Sequence, residues 1–352
     1  MVEPRVYEAL SKPIVGHLDP FFFTVAEDIR TLLNPVFGTS NPFTVVISGT
    51  GSAGVEAAVA NFTEPGAKFA VLANGYFCDR IAEMARRQGA NVVRLEKAWG
   101  ETFTDREARD FILREKPAVV AYVQAETSTG AYQDGKAICA AAHETGALAI
   151  ADCVTSMGGM PVNVDANGID IAYGGTQKAL SCPPGLAPIT LSPGALEKLR
   201  ARTSDIPSWY LDLKLLDEYY SGAHRYHHTA PISMFYALRE ALVAIHEEGL
   251  QNRFERHRRN HLAFVAGIEA MGMKMHVARE HRLWTLNTPC VPPGVDPLKV
   301  RKHLLDHEGI EIAGGLGSLA GKVFRIGFMG ASSTGENVET LLEALDRAFA
   351  AS

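Results

Sequence analysis

The sequence predicts an α/β fold: a mostly parallel, doubly wound sheet covered by helices, followed by a smaller α/β set. Three observations carry this expectation. From about residue 43 to residue 191, short β-branched runs alternate with segments of helical period. The runs are nearly continuously apolar, as strands are when helices cover both faces. Beyond Pro231 the alternation gives way to a long helical stretch.

Taken in order, the first strand is expected at residues 43–47 and leads into a helix over 51–62, which sets Val55, Ala58, Val59 and Phe62 on one face. A strand at 69–72 precedes a helix at 77–88, and a strand at 118–123 precedes a helix at 134–145. Strands at 148–151 and 169–173 follow. Such an alternation implies a parallel sheet whose function sits at the carboxyl ends of its strands. Helices are then expected over 232–248, 250–271 and 336–350. The domain reading is an N-terminal segment at 1–12, a large domain at 13–248 and a small domain at 249–352. The charged residues of 253–259 read as a solvated helix face without function.

Composition excludes several classes. With 352 residues, 47% of them hydrophobic, the chain is long enough for two packed domains. Thirty-four basic against forty acidic residues give a net charge of −6 and no basic cluster, which argues against a nucleic-acid partner. No apolar run approaches the roughly 20 residues that span a bilayer, and the start has no signal-peptide character, so a cytoplasmic protein is expected. The five cysteines, Cys78, Cys139, Cys153, Cys182 and Cys290, form no CxxC pair and read as reduced, mostly buried thiols, with no metal site.

Four features at strand ends carry chemistry. Ser48-Gly49-Thr50-Gly51-Ser52-Ala53-Gly54 is a strand-to-helix turn whose amides open a helix at its positive end, where a phosphate binds well. It has neither the Gly-Lys-Ser/Thr ending of a triphosphate loop nor the GxGxxG spacing, and a turn serving backbone geometry alone reads equally well. Asp152 closes an apolar strand, where an isolated charge is costly; a protonated ring nitrogen would partner it, and so would a helix cap. Lys178, in Gly174-Gly175-Thr176-Gln177-Lys178, follows the next strand and suits carbonyl chemistry, the alternative being a surface charge. Arg325, inside the apolar run Val323-Phe324-Arg325-Ile326-Gly327, binds a carboxylate, either a protein acid or a substrate.

Taken together, these residues resemble a known family. Ile47-Ser48-Gly49-Thr50-Gly51, Glu126-Thr127-Ser128-Thr129-Gly130, Ala151 to Gly159, Gly174 to Lys178, Tyr226-His227-His228-Thr229 and Arg325-Ile326-Gly327 follow the order of the class V aminotransferases of fold type I. The chain is most similar to the alanine:glyoxylate and serine:pyruvate branch. That resemblance implies a seven-stranded, mostly parallel large-domain sheet, the cofactor pyridoxal 5′-phosphate and a homodimer with composite active sites.

Residue by residue, the resemblance makes Lys178 the lysine that carries the cofactor and shuttles the proton, and Asp152 the acid that keeps the ring nitrogen protonated. Thr50, Gly51 and Ser52 would hold the phosphate with help from Gln177. Thr127 would donate near the phenolic oxygen. Val154 would pack on one ring face, and Phe77, where many relatives have tryptophan, on the other. Tyr226 and Thr229 would reach the phosphate of the neighbouring subunit. Arg325 would clamp the substrate carboxylate. His17 reads as an interface histidine that could also touch substrate.

Family members also carry a Gly-Pro-Gly-Pro stretch ahead of the region matching Glu3-Pro4-Arg5-Val6, and the sequence starts after it. The expectation is a start upstream, or a differently built substrate entrance. The expected reaction moves an amine from alanine or serine to glyoxylate or pyruvate. The alternatives are a ureidoglycine:glyoxylate aminotransferase, which residues 253–257 suggest and Tyr226 opposes; a cysteine desulfurase, which would need a mobile cysteine on an exposed loop, whereas Cys182 in the Pro-Pro-Gly turn reads as structural; and a phosphate-ligand binding protein without catalysis.

Overall fold

The computed structural model describes residues 1–220 and 222–351. Among these residues the strands in chain order are β1 (Phe43–Ser48), β2 (Lys68–Ala73), β3 (Asn91–Glu96), β4 (Val119–Val123), β5 (Ala125–Glu126), β6 (Ala131–Tyr132), β7 (Leu148–Asp152), β8 (Ile171–Tyr173), β9 (Leu186–Leu191), β10 (Leu286–Asn287), β11 (Ala313–Gly314) and β12 (Phe324–Gly327). Seven of them form one sheet in the order β1-β9-β8-β7-β4-β2-β3. Its pairings are parallel except on both sides of β9. The reversal has a local cause. The link from β8 to β9 carries Pro183, Pro184 and Gly185, which break a crossover helix and turn the chain back beside β8.

Side-chain alternation along the strands divides the core into two layers. On β4, Val120 and Tyr122 point into one layer with Phe22, Leu33, Ile138 and Phe235. Val119, Ala121 and Val123 point into the other, with Val55, Val59, Ile81 and Leu199. Each large side chain buried this way contributes roughly 1.5 to 3 kcal/mol, so a helix lies over each face. The helix Gly51–Phe62 is buried nearly all round rather than on one face, because residues 211–213 close over it. Asn61 donates to the Leu211 carbonyl at 2.7 Å and accepts from the Leu213 N–H at 2.9 Å.

Two elements lie in a stretch of weak sequence pattern. Strand β3 is a half-exposed edge of the sheet and so lacks the continuous apolar run of its neighbours. The helix Asp105–Glu115 begins at a capping box in which Thr104 and Glu107 satisfy each other's backbone N–H. A third core gathers Phe264, Ile268, Leu304, Phe324, Ile326 and Leu341 under a small sheet of order β10-β12-β11. The helices Ile232–Glu248 and Leu250–Ala270 meet at Gly249, whose φ of 81° is open to glycine at little cost. No helix among the described residues is long and apolar enough to cross a membrane.

The charged run at 253–259 is not the solvated face that its composition suggests. Arg253 is 2% exposed and His257 fully buried. The Arg253 guanidinium donates to the Gly158 carbonyl at 2.8 Å and the Ala179 carbonyl at 2.7 Å, and pairs with Glu248 at 2.6 Å. Arg256 pairs with the same carboxylate at 2.6 Å and donates to the carbonyls of Gly330 and Ser333. His257 accepts the Gly330 N–H on Nε2 at 2.9 Å while its Nδ1 bonds the Arg253 carbonyl. Burial pushes its pKa down to about 4, so the ring is neutral. Glu255, Arg258 and Arg259 keep to the surface. Sequence periodicity failed here because arginine is apolar along its stem and can be buried where carbonyls await its fork.

Because Glu248 is the acid partner of the buried Arg253, Glu248→Ala should destabilise the protein by about 3 kcal/mol, the low end for breaking a buried ion pair. Denaturant titration measures it; a change below about 0.5 kcal/mol would show the network to be dispensable.

Candidate active site

The carboxyl ends of β1, β4, β7 and β8 converge on one cleft. Its cavity volume is about 150 Å³, and its walls include Thr50, Gly51, Ser52, Phe77, Thr127, Asp152, Val154, Gln177 and Lys178. These are nine of the residues that the sequence singled out. They come together because parallel neighbours end on the same edge of a sheet.

Asp152 is the last residue of β7 and 7% exposed. Its Oδ1 accepts the Val154 N–H at 3.0 Å, and its Oδ2 accepts the hydroxyl of Tyr173, the register partner at the end of β8, at 2.9 Å. Burial dominates these two neutral donors and pushes the carboxyl up to about 6, against weaker pulls downward from Arg80 and Lys178. The group is held in place but has no contacting cation among the described residues.

Lys178 sits in a link that closes on itself. The Thr176 hydroxyl donates to the Pro183 carbonyl at 2.7 Å, the Ser181 N–H to the Lys178 carbonyl at 3.0 Å, and the Cys182 N–H to the Thr176 carbonyl at 3.1 Å. Ser181 takes a φ of 56°, uncommon for a residue with a side chain, and its hydroxyl accepts the Ala331 N–H at 2.7 Å. Against this fixed backbone the Lys178 ammonium makes no hydrogen bond or ion pair among the described residues. Desolvation and the nearby Arg325 lower its pKa. Such an amine is more readily neutral than a surface lysine, which favours it as nucleophile and base.

The turn after β1 offers the start of the helix Gly51–Phe62. Thr50 is its N-cap residue yet makes no side-chain cap, and the N–H groups of Gly51 and Ser52 have no acceptor among the described residues. Its proximity to the Lys178 link is built in: the Gly49 N–H donates to the Gly185 carbonyl at 2.9 Å.

Three predicted residues do not line the cleft. Arg325, on β12, donates from Nε to the Gly314 carbonyl at 2.8 Å and from Nη1 to the Thr127 carbonyl at 3.4 Å. It thus stands beside the cleft without a carboxylate in contact among the described residues. Tyr226 is 57% exposed and Thr229 exposed, and neither is among the residues that line the cleft of their own chain. His17 packs its ring 5.0 Å from that of Tyr226, centroid to centroid.

The family profile of the class V aminotransferases matches residues 8–341. The chain belongs to that family. It is 40% identical to a (S)-ureidoglycine–glyoxylate transaminase of Bacillus subtilis, over 98% of this chain and 87% of that protein. An alanine–glyoxylate aminotransferase of Felis catus is 37% identical, over 98% and 84%. A crystal structure of an alanine–glyoxylate aminotransferase from Nostoc sp. superposes with a TM-score of 0.97 at 45% identity, covering 99% of this chain and 92% of that one.

Within this class V aminotransferase, sequence reasoning missed three residues at the cleft. Tyr173 was read only as a strand end; its role beside Asp152 follows from strand order, which a single sequence does not print. Glu126 is fully buried, and its carboxylate accepts the Phe77 N–H at 3.0 Å, the Ser128 N–H at 2.9 Å and the Ser128 hydroxyl at 2.6 Å. It lies so close over Gly75 that a Cβ there would come within 2.3 Å of it. Arg80 was also missed, although it follows Phe77 by one helical turn and a spacing of three puts both on one face. Cys182, by contrast, is buried with its thiol pushed up to about 12, which does not suit a desulfurase nucleophile.

The raised pKa of Asp152 makes a signed prediction for the cofactor-free protein. From its ordinary value of 3.8 up to about 6, the folded state holds a proton that the unfolded chain has released. Stability from this group is therefore complete below the lower value and lost as pH rises through the upper, by on the order of 3 kcal/mol. Asp152→Asn should remove that component, so denaturant midpoints of wild type and variant should diverge across this window. Parallel curves would contradict it.

Proposed function

We propose that this aminotransferase uses pyridoxal 5′-phosphate to transfer the amine of a small amino acid, alanine or serine, to a small 2-oxo acid, glyoxylate or pyruvate. The observation that carries the reading is the pairing of an unengaged, desolvated lysine amine with a buried carboxylate across one cleft, beside a helix start with open N–H groups. The residues present fit the cofactor on the structure's own terms. Asp152 presents a carboxylate with only neutral contacts to a ring nitrogen. The turn gives the phosphate N–H donors, and Phe77 and Val154 offer apolar surface to the ring. When bound, the cofactor supplies an electron sink for the carbanion left when the α-proton departs.

In this reading Asp152 would hold a proton on the ring nitrogen, with Tyr173 and Val154 fixing its direction. Lys178 Nζ would hold the cofactor at its aldehyde and, as a free amine, would accept the α-proton of the donor. Thr50, Gly51, Ser52 and Gln177 would bind the phosphate, and Thr127 would bond the phenolic oxygen. Arg325 receives the donor carboxylate, its plane set by the carbonyls of Gly314 and Thr127. Glyoxylate is named for both curated relatives described above, which supports it as acceptor. Residues 253–257, being spent on internal bonds, lend no support to ureidoglycine as donor.

The reading includes a homodimer in which Tyr226 and Thr229 serve the partner's cleft, which accounts for two polar residues lying outside their own. The exposed Trp209 and Tyr210 beside them suit a buried interface. It also includes the division at 1–12, 13–248 and 249–352, and a cytoplasmic site of action, with which five free thiols agree.

Purified protein given the cofactor should show visible absorbance that fades on adding alanine or serine and returns with glyoxylate or pyruvate. Colour lost only to ureidoglycine would correct the donor, and a protein that takes up no cofactor would refute the reading. Lys178→Ala should abolish both the bound absorbance and turnover. Arg325→Ala should raise KM roughly 30-fold or more with cofactor retained, since truncating one partner of a buried charge pair costs about 2 to 5 kcal/mol; an unchanged KM would remove Arg325 from the substrate site.

A further inference from the structure

The helix Tyr76–Arg87 sends one cation into the cleft that the preceding reading leaves without a task. Arg80 lines the cleft between Phe77 and Ile81. Its Nη2 donates to the Ser52 hydroxyl at 3.0 Å, and its guanidinium stands 5.7 Å from the centroid of the Phe77 ring. A guanidinium carries five donors, and that one bond is the only hydrogen bond or ion pair of Arg80 among the described residues. The acids around it are engaged elsewhere. Asp79 pairs with Arg94, Glu83 with Arg86 and Arg87, and Glu126 with the N–H groups of Phe77 and Ser128. Asp152 feels Arg80 only through space.

Ser52 is the second residue of the helix whose first N–H groups are open. A cation fixed on its hydroxyl therefore adds a full charge where the helix end supplies only a fraction of one. The other cation of the cleft, Lys178, is committed to the carbonyl carbon in the same reading. We infer that Arg80 is the charged ligand of the phosphoester dianion, held ready by Ser52 and stacked against Phe77 so that it does not fold back on Asp152. Its fork can bond two phosphate oxygens while the turn amides take others. The selectivity of the cleft for a phosphorylated pyridoxal over the free aldehyde then rests on this side chain. The inference builds on the cofactor reading above and is tested apart from it.

The experiment compares binding of pyridoxal 5′-phosphate and of unphosphorylated pyridoxal to cofactor-free wild type, Arg80→Gln and Arg80→Lys, by equilibrium dialysis and visible absorbance. Arg80→Gln should reduce the preference for the phosphorylated form by roughly 30-fold or more, the scale of a lost charge pair, with affinity for pyridoxal unchanged. Arg80→Lys should recover part of it, keeping the charge and losing the fork. Inorganic phosphate should raise the melting temperature of the cofactor-free wild type and not that of Arg80→Gln. Equal losses for both aldehydes, or none for either, overturn the inference. If the wild type takes up neither aldehyde yet is stabilised by phosphate through Arg80, the cofactor reading fails and the Arg80 assignment stands. If phosphate also has no effect on the wild type, both fail.

Discussion

A carboxylate buried at the end of a strand with only an amide and a phenol for company is an expensive thing to build. Desolvation of an ion costs several kcal/mol even after relaxation, and two neutral hydrogen bonds return only part of it. Asp152 exists in this state because β7 lies inside the sheet, with β4 on one side and β8 on the other. The same placement brings Tyr173 to it in register and puts Lys178 across the gap. The interior position that makes the charge costly also leaves it able to respond strongly to a cation. Most of the cleft can be understood as an arrangement around that one unmet demand.

The second constraint is mechanical. Arg253 bonds a carbonyl from the segment after Asp152 and another from the segment after Lys178, and Glu248 ties it to Arg256. Arg256, His257 and Ser181 then hold the backbone at 330 to 333, shortly after β12. The strand that carries Arg325 is thereby referenced to the two loops that carry the acid and the amine. Arg325 and Lys178 keep their spacing through a buried ionic joint rather than through direct contact.

Much of this was legible in the residues. The sheet strands with continuous apolar runs and the helix Ile232–Glu248 announce themselves by local pattern, and Asp152, Lys178 and the Thr50 turn stand out by their places at strand ends. What was not legible depends on distance in the fold. Strand β3 is an edge and so carries a weak alternation. Tyr173 gains its importance from which strand lies beside it. Arg253 and His257 look like surface charges because periodicity sees only polarity, while the carbonyls of Gly158 and Ala179 that receive Arg253 lie 95 and 74 residues away. Arg80 was within reach of sequence reasoning, since it shares a helix face with Phe77.

The reversed strand β9 has one more consequence. In a regular crossover the loop after β8 would lead into a helix and swing independently of its neighbours. Here it returns at once as a strand clamped between β8 and β1, and Gly185 at its bend is bonded to Gly49 at the mouth of the next turn. Displacement of the lysine-bearing segment therefore carries the Thr50 turn with it. Both ends of a ligand spanning them would ride on the same piece of backbone and would drift together rather than pull apart.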